Sequence, residues 1–173
     1  MVWRFPAGTV ESVRMTDLSV FGDDELADVL AAPKAVMEGA IVADGAPNAL
    51  RFLKELTAAA KVFKEAQRHR NALVKAVANR LRERDVKEPR SEGLLEQDEA
   101  IAKALGTTER ALAALRERAG QEDFDAYGAW LVRIATKVAE AARSKSGGFF
   151  SKKVAVSDGE REFIERLEAL IAR

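Results

Sequence analysis

Apolar positions recur at intervals of three and four along most of the chain, a spacing that predicts helices rather than strands. The first helix is predicted to start near Asp23, which can cap it, with Leu26, Val29 and Leu30 on one face. Pro33 predicts the start of a second helix over 33–43, because a proline at the first helical position sacrifices no intrahelical bond. Apart from Lys34 and Glu38 this second segment is apolar on all sides, the pattern of a central helix. Ala35, Gly39 and Ala43 lie four residues apart on it and offer a neighbouring backbone a close approach. Asp44-Gly45 stops it, and Pro47 opens a third helix that runs to about Arg68. There Leu53, Leu56, Ala60 and Phe63 are predicted to face inward, widened by Phe52, Ala59 and Ala66. The pairs Arg51 with Glu55 and Lys61 with Glu65 are predicted to face outward.

Asn71 is positioned to cap a helix with Leu73, Val74, Val77 and Leu81 inward, ending before Pro89. Residues 86–93 read as a linker. Two short helices are predicted next, 94–105 and about 107–118, separated at Gly106 and closed by Gly120. The strongest pattern follows: Phe124, Tyr127, Leu131, Ile134, Val138 and Ala141 form a seam over about five turns. Ser157 with Glu160 makes a capping box for a closing helix whose inner stripe is Phe163, Ile164, Leu167, Leu170 and Ile171. The expectation is an all-α, single-domain bundle of about seven or eight helices over 23–173, with 1–22 as an N-terminal arm.

Composition agrees. Hydrophobic residues make up 47% of the 173 and charged residues 32%, the balance of a globular chain. With no cysteine, thiolate metal sites and cysteine nucleophiles are excluded, and a cytoplasmic location is expected. The N-terminal stretch lacks the layout of a secretory signal, and no apolar run is long enough to predict a transmembrane segment. Net charge is zero but unevenly spread. Residues 61–90 carry ten basic and four acidic side chains, and residues 91–126 carry four basic and nine acidic ones. The simpler reading is that basic and acidic helices neutralise each other side by side, and the sharper one is an anionic partner for 61–90.

Chemistry-bearing motifs are few. The segment 98–118 resembles the helix-turn-helix of bacterial repressors, with Ala102 and Gly106 at the turn and Ile101, Leu105, Leu112 and Leu115 as its apolar contacts. On that reading Thr108, Arg110 and Arg116 would contact DNA, along with Glu109 and Ala113. The acidic charge of 91–126 argues against it, so nucleic acid is the alternative partner rather than the preferred one. Asp44 and Glu55 have the spacing of a calcium loop, but Ala46 and Ala49 stand where a ligand and the obligatory glycine belong. The Gly147-Gly148 loop places Phe149 and Phe150 beside Lys152 and Lys153. One phenylalanine folding back over the core is the simpler reading; an interaction loop for a partner groove or a membrane surface is the functional one. His69 sits alone between Arg68 and Arg70 on a basic segment. No catalytic residue, cofactor site or metal site is assigned.

Residues 32–36 through VMEGAIVADG to Lys54 and Glu55, and residues 127–131 through IATKVAEAARSKSGGFF to VSDGE, resemble an uncharacterised bacterial family of small all-helical proteins. In that family Ala-Pro opens an apolar helix, and an Ala-x-x-Ala-Ala helix runs into a Gly-Gly-Phe loop and a closing Val-Ser-x-x-Glu helix. The resemblance covers most of 23–173. The Ala-Asp-Gly step before an amphipathic helix is also distantly similar to the helical TerB-like domains linked to tellurite resistance and stress. The resemblance implies an all-helical fold and a role in stress response or protein interaction, and makes 98–118 ordinary bundle. It brings no activity. Phe-Phe-Ser-Lys-Lys replaces the second glycine-rich turn expected there. The function expected is thus a non-enzymatic interaction protein that acts through a helical surface and the 147–153 loop, by binding a protein partner or by self-association.

Overall fold

Where the pattern around Pro33 predicts two helices, one helix, α1 (Asp23–Val42), runs straight through. Proline has no N–H, so the carbonyl four residues back, on Val29, loses its helical partner. The buried Tyr127 hydroxyl donates to that oxygen at 2.7 Å and so replaces the hydrogen bond that the proline removes. The computed structural model describes residues 17–87, 93–143 and 156–173. Among them lie five further α-helices: α2 (Ala49–Ala66), α3 (Ala72–Lys87), α4 (Gln97–Arg118), α5 (Gln121–Arg143) and α6 (Asp158–Ile171). A single 3-10 turn, Leu18–Val20, precedes α1, and no strand occurs among the described residues.

The helical class is as expected, and the count among the described residues is six because two predicted breaks are absent. Besides Pro33, the break at Gly106 is missing: α4 is continuous from Gln97 to Arg118. Its small residues Ala100, Ala104, Thr107, Thr108 and Ala111 are all buried, and packing along α1 carries the helix through the glycine. α1 is central, as its all-round apolar pattern predicts, and touches all five other helices. The small-residue stripe on α1 is used as expected. A Cβ on Gly39 would come within 3.0 Å of the Ala104 Cβ and 2.9 Å of the Phe163 ring.

α5 is the second spine. Phe124, Tyr127, Leu131, Ile134 and Val138 are buried in order along it, and Phe63 and Tyr127 each meet Trp130 edge-on. The expected buried set of α3 is observed, and the Asn71 side chain caps that helix by accepting from the Val74 N–H at 3.1 Å. Ser157 and Glu160 form the expected capping box on α6. Leu18 and Phe21 are buried in the core, so the bundle begins ahead of Asp23. No helix among the described residues is long and apolar enough to cross a membrane.

Candidate docking surface

α2 is turned about its axis relative to the prediction. Leu53 and Leu56, expected inside, are 60% and 38% exposed, and Leu50 is 65% exposed. Ala49, Thr57 and Ala60 extend this outer face. Arg51 and Glu55, expected outside, are drawn inward, and Glu55 is 0% exposed. The inner line is Phe52, Glu55, Ala59, Val62, Phe63 and Ala66, which meets α5.

The cause is a polar knot at one end of the bundle. Arg51 Nε donates to Glu55 Oε1 at 2.8 Å, its Nη2 donates to Glu160 Oε1 at 3.4 Å, and Nη1 lies 3.7 Å from Asp44. Arg143, near the end of α5, reaches Asp44 at 3.4 Å and Glu160 at 3.8 Å. The Glu160 carboxylate also accepts the Ser157 N–H at 2.9 Å, so the cap of α6 is itself part of the knot. α6 enters against the end of α1 so closely that a Cβ on Gly159 would lie 2.3 Å from the Ala43 carbonyl oxygen. This approach sets Glu160 over the start of α2. Arg51 must then face in to meet it, because a buried carboxylate without a counter-charge is expensive. Burial pushes the Glu55 carboxyl above its ordinary range against the opposing pull of Arg51. The rotation that brings Arg51 and Glu55 in carries Leu50 and Leu53 out.

A second feature is an open groove of about 760 Å³ where α2 turns into α3 beside α5. Its floor includes Ala66, Ala126 and Trp130, and Glu65 bridges to Arg133 at its rim at 2.7 Å. His69 Nδ1 accepts the Asn71 N–H at 3.0 Å, which places the proton of the neutral ring on Nε2. Both cations and carboxylates line the groove, so its charge selects no ligand class. Among the described residues no three His, Cys, Asp or Glu side chains are placed to hold a metal ion.

The residues expected to read DNA are occupied within the fold. Thr108 is fully buried. Arg110 makes a bidentate pair with Asp28 at 3.0–3.1 Å. The Arg116 guanidinium lies 4.7 Å from the centre of the Phe124 ring and donates to the Leu170 carbonyl at 3.2 Å. With Gly106 inside α4 there is no turn, and the two-helix geometry that would present a recognition helix is absent from 98–118. Phe149, Phe150, Lys152 and Lys153 lie outside the described residues. The structure therefore draws attention to Leu50, and to Leu53 and Leu56, which the apolar pattern alone assigns to the core. Comparison with protein-family models, with curated proteins and with solved structures gave no match.

Proposed function

We propose that this protein is an interaction module that docks a partner along the outer face of α2. One observation carries the reading: three leucines stand outward on the first two turns of a helix whose Glu55 is buried and whose Arg51 is turned inward to meet it. A contiguous exposed apolar line marks a binding surface more often than scattered exposed residues do. Its support is rigid, because α2 is capped by Asn48, which accepts from the Arg51 N–H at 2.9 Å, and is clamped below by the knot. Docking on such a face follows the helix-in-groove logic of anchors spaced by three and four.

The test places a photoreactive amino acid at position 53, with a control at Glu165 on α6, and pairs it with Leu50→Ser/Leu56→Ser. Expected is a discrete adduct from position 53, absent from position 165 and abolished by the double substitution, whose melting temperature stays at the parent value. Loss of folding in the double variant, or equal adducts from both positions, would overturn the proposal.

A further inference from the structure

The positive charges at the end of α2 and along α3 are not neutralised by ion pairs with their neighbours among the described residues. Nine basic side chains lie within residues 61–87, and all are exposed. None of the nine forms an ion pair within 4.0 Å among the described residues. Two of the three acidic residues of the same stretch are engaged instead by cations from outside it, Glu65 by Arg133 of α5 and Asp85 by Lys34 of α1, and Glu83 is exposed. The fold thus cancels most of the negative charge of this stretch and leaves nine cations against Glu83. Elsewhere it does the opposite, since Arg110 and Arg118 of α4 are paired to Asp28 and Glu25 of α1.

The positive charge is aligned with the leucines. Lys61 follows Leu50 by eleven residues, and Lys64 follows Leu53 by eleven. Eleven residues are close to three helical turns, so each lysine stands on the same line as its leucine. Arg68 follows Leu50 by eighteen residues, five turns, and extends the line just past the helix end. The outer face therefore carries its leucines over the first two turns, with Lys54 at their flank, and is basic over its last two.

Resting on the docking reading above, we infer that the partner is an acidic amphipathic helix of another protein, laid antiparallel on α2. Its glutamate-rich N-terminal turns sit over Lys61, Lys64 and Arg68, and its leucine-rich C-terminal turns sit over Leu50, Leu53 and Leu56. Antiparallel placement puts the partner's acidic residues at its own helix N-terminus, where the dipole favours them. Three other occupants match the face less well. The stretches of this chain outside the described residues offer no acidic helix long enough to span the face: 144–155 has three lysines and no acid, 1–16 has two arginines against one glutamate, and 88–92, with two glutamates against one arginine, is five residues long and holds Pro89. A bilayer rewards an apolar stripe along the full length of a helix with cations at its flanks, whereas here the two characters are separated along the axis. Nucleic acid would use the cations but gains nothing from three exposed leucines.

The experiment measures binding of synthetic helical peptides of about 18 residues, long enough to span α2, to the full chain by fluorescence anisotropy. One peptide carries glutamates on its first turns and leucines on its last. A matched peptide carries lysines in place of the glutamates. Expected is binding of the glutamate peptide at least about tenfold tighter than the lysine peptide at about 50 mM salt, a gap that narrows at about 300 mM. Lys64→Glu/Arg68→Glu is expected to invert the preference, and Leu53→Ser/Leu56→Ser to abolish both. Absence of binding, or equal affinity for the two peptides, overturns the inference. Duplex DNA or phosphatidylserine vesicles binding more tightly than the glutamate peptide, through the same lysines, also overturns it. So does a concentration-dependent dimer in sedimentation that is lost in the leucine variant, because a second copy then occupies the face. If binding requires the leucines but ignores Lys64→Glu/Arg68→Glu, the acidic partner falls while the docking surface stands.

Discussion

α4 and α2 are made of the same ingredients, leucine, alanine, lysine, arginine and glutamate, and arrange them in opposite ways. In α4 the small apolar line through Ala104, Thr108, Ala111 and Leu115 is buried, and the flanking cations are taken up within the fold by Asp28, Glu25 and the Leu170 carbonyl. In α2 the first two turns hold their leucines outward and their arginine and glutamate inward. The neighbours differ. α4 lies along α1, an apolar helix with Gly39 at the closest approach. The start of α2 meets the acidic first turn of α6, where Glu160 is almost fully buried. A helix with two candidate faces buries the one its neighbour can satisfy, and here two buried carboxylates, Glu55 and Glu160, both draw Arg51 inward. Stranding one buried charge costs about 3–5 kcal/mol, while fully exposing one leucine forgoes about 1.5–3 kcal/mol.

The comparison breaks most severely at Glu160. Glu160→Ala removes half of the α6 capping box and leaves Arg51 without one of its inward partners. Breaking a buried pair of this kind costs about 3–5 kcal/mol, and a loss of that order is expected in urea unfolding. The matching change on the other helix is Arg110→Ala, which breaks an exposed pair with Asp28 and is expected to cost about 0.2–1 kcal/mol. Equal losses would show that the knot does not hold α2 in its orientation.

A smaller effect is expected where α1, the platform for α4, passes through Pro33. Tyr127→Phe keeps the ring and deletes only the hydroxyl that serves the Val29 carbonyl. A buried acceptor left without a donor costs about 1–3 kcal/mol, so the unfolding free energy should fall by that amount with the helical content unchanged. A neutral result would mean that another group serves the Val29 carbonyl.

Most of the fold is legible along the chain. The α5 seam, the Asn71 cap, the Ser157 and Glu160 capping box and the central place of α1 all follow from spacing and residue type. The misreadings share a physical root: a local rule was overruled by a distant residue. Pro33 reads as a helix start because the group that compensates it, Tyr127, lies 94 positions further along the chain. Gly106 reads as a turn because the line of small residues that packs α4 against α1 is a tertiary fact. The outer face of α2 is hidden for the same reason, since Leu50, Leu53 and Leu56 have a core-like period and only Glu160, more than 100 residues on, turns them outward. The excess of cations in 61–90 is visible in the sequence. Whether neighbours neutralise it is not, because that depends on which acid meets which base once the helices pack.

The contrast between the two helices extends to acid and base. At the seam of α1 with α4, Glu25 accepts the Gly22 N–H at 2.8 Å and faces Arg118, and both hold its carboxyl below the ordinary range. At the seam of α2 with α6, burial holds the Glu55 carboxyl above it. The signs follow from linkage. A depressed carboxyl binds fewer protons in the folded chain than in the unfolded one, so its contribution is present above the unfolded value and is lost as pH falls through the folded one. A raised carboxyl keeps its proton when folded at a pH where the unfolded chain has released it. Its favourable contribution is present below the unfolded value and is lost as pH rises through the folded one. Glu55→Gln preserves an acceptor for Arg51 and removes the titration, and Glu25→Gln does the same at the other seam. Urea midpoints measured from about pH 4 to about pH 7 span the window around the ordinary glutamate value. Over that range Glu55→Gln should gain stability relative to the parent as pH rises, and Glu25→Gln should lose it. Slopes of the same sign would place both carboxyls in one kind of environment, and the buried knot would no longer explain why α2 shows its leucines to solvent.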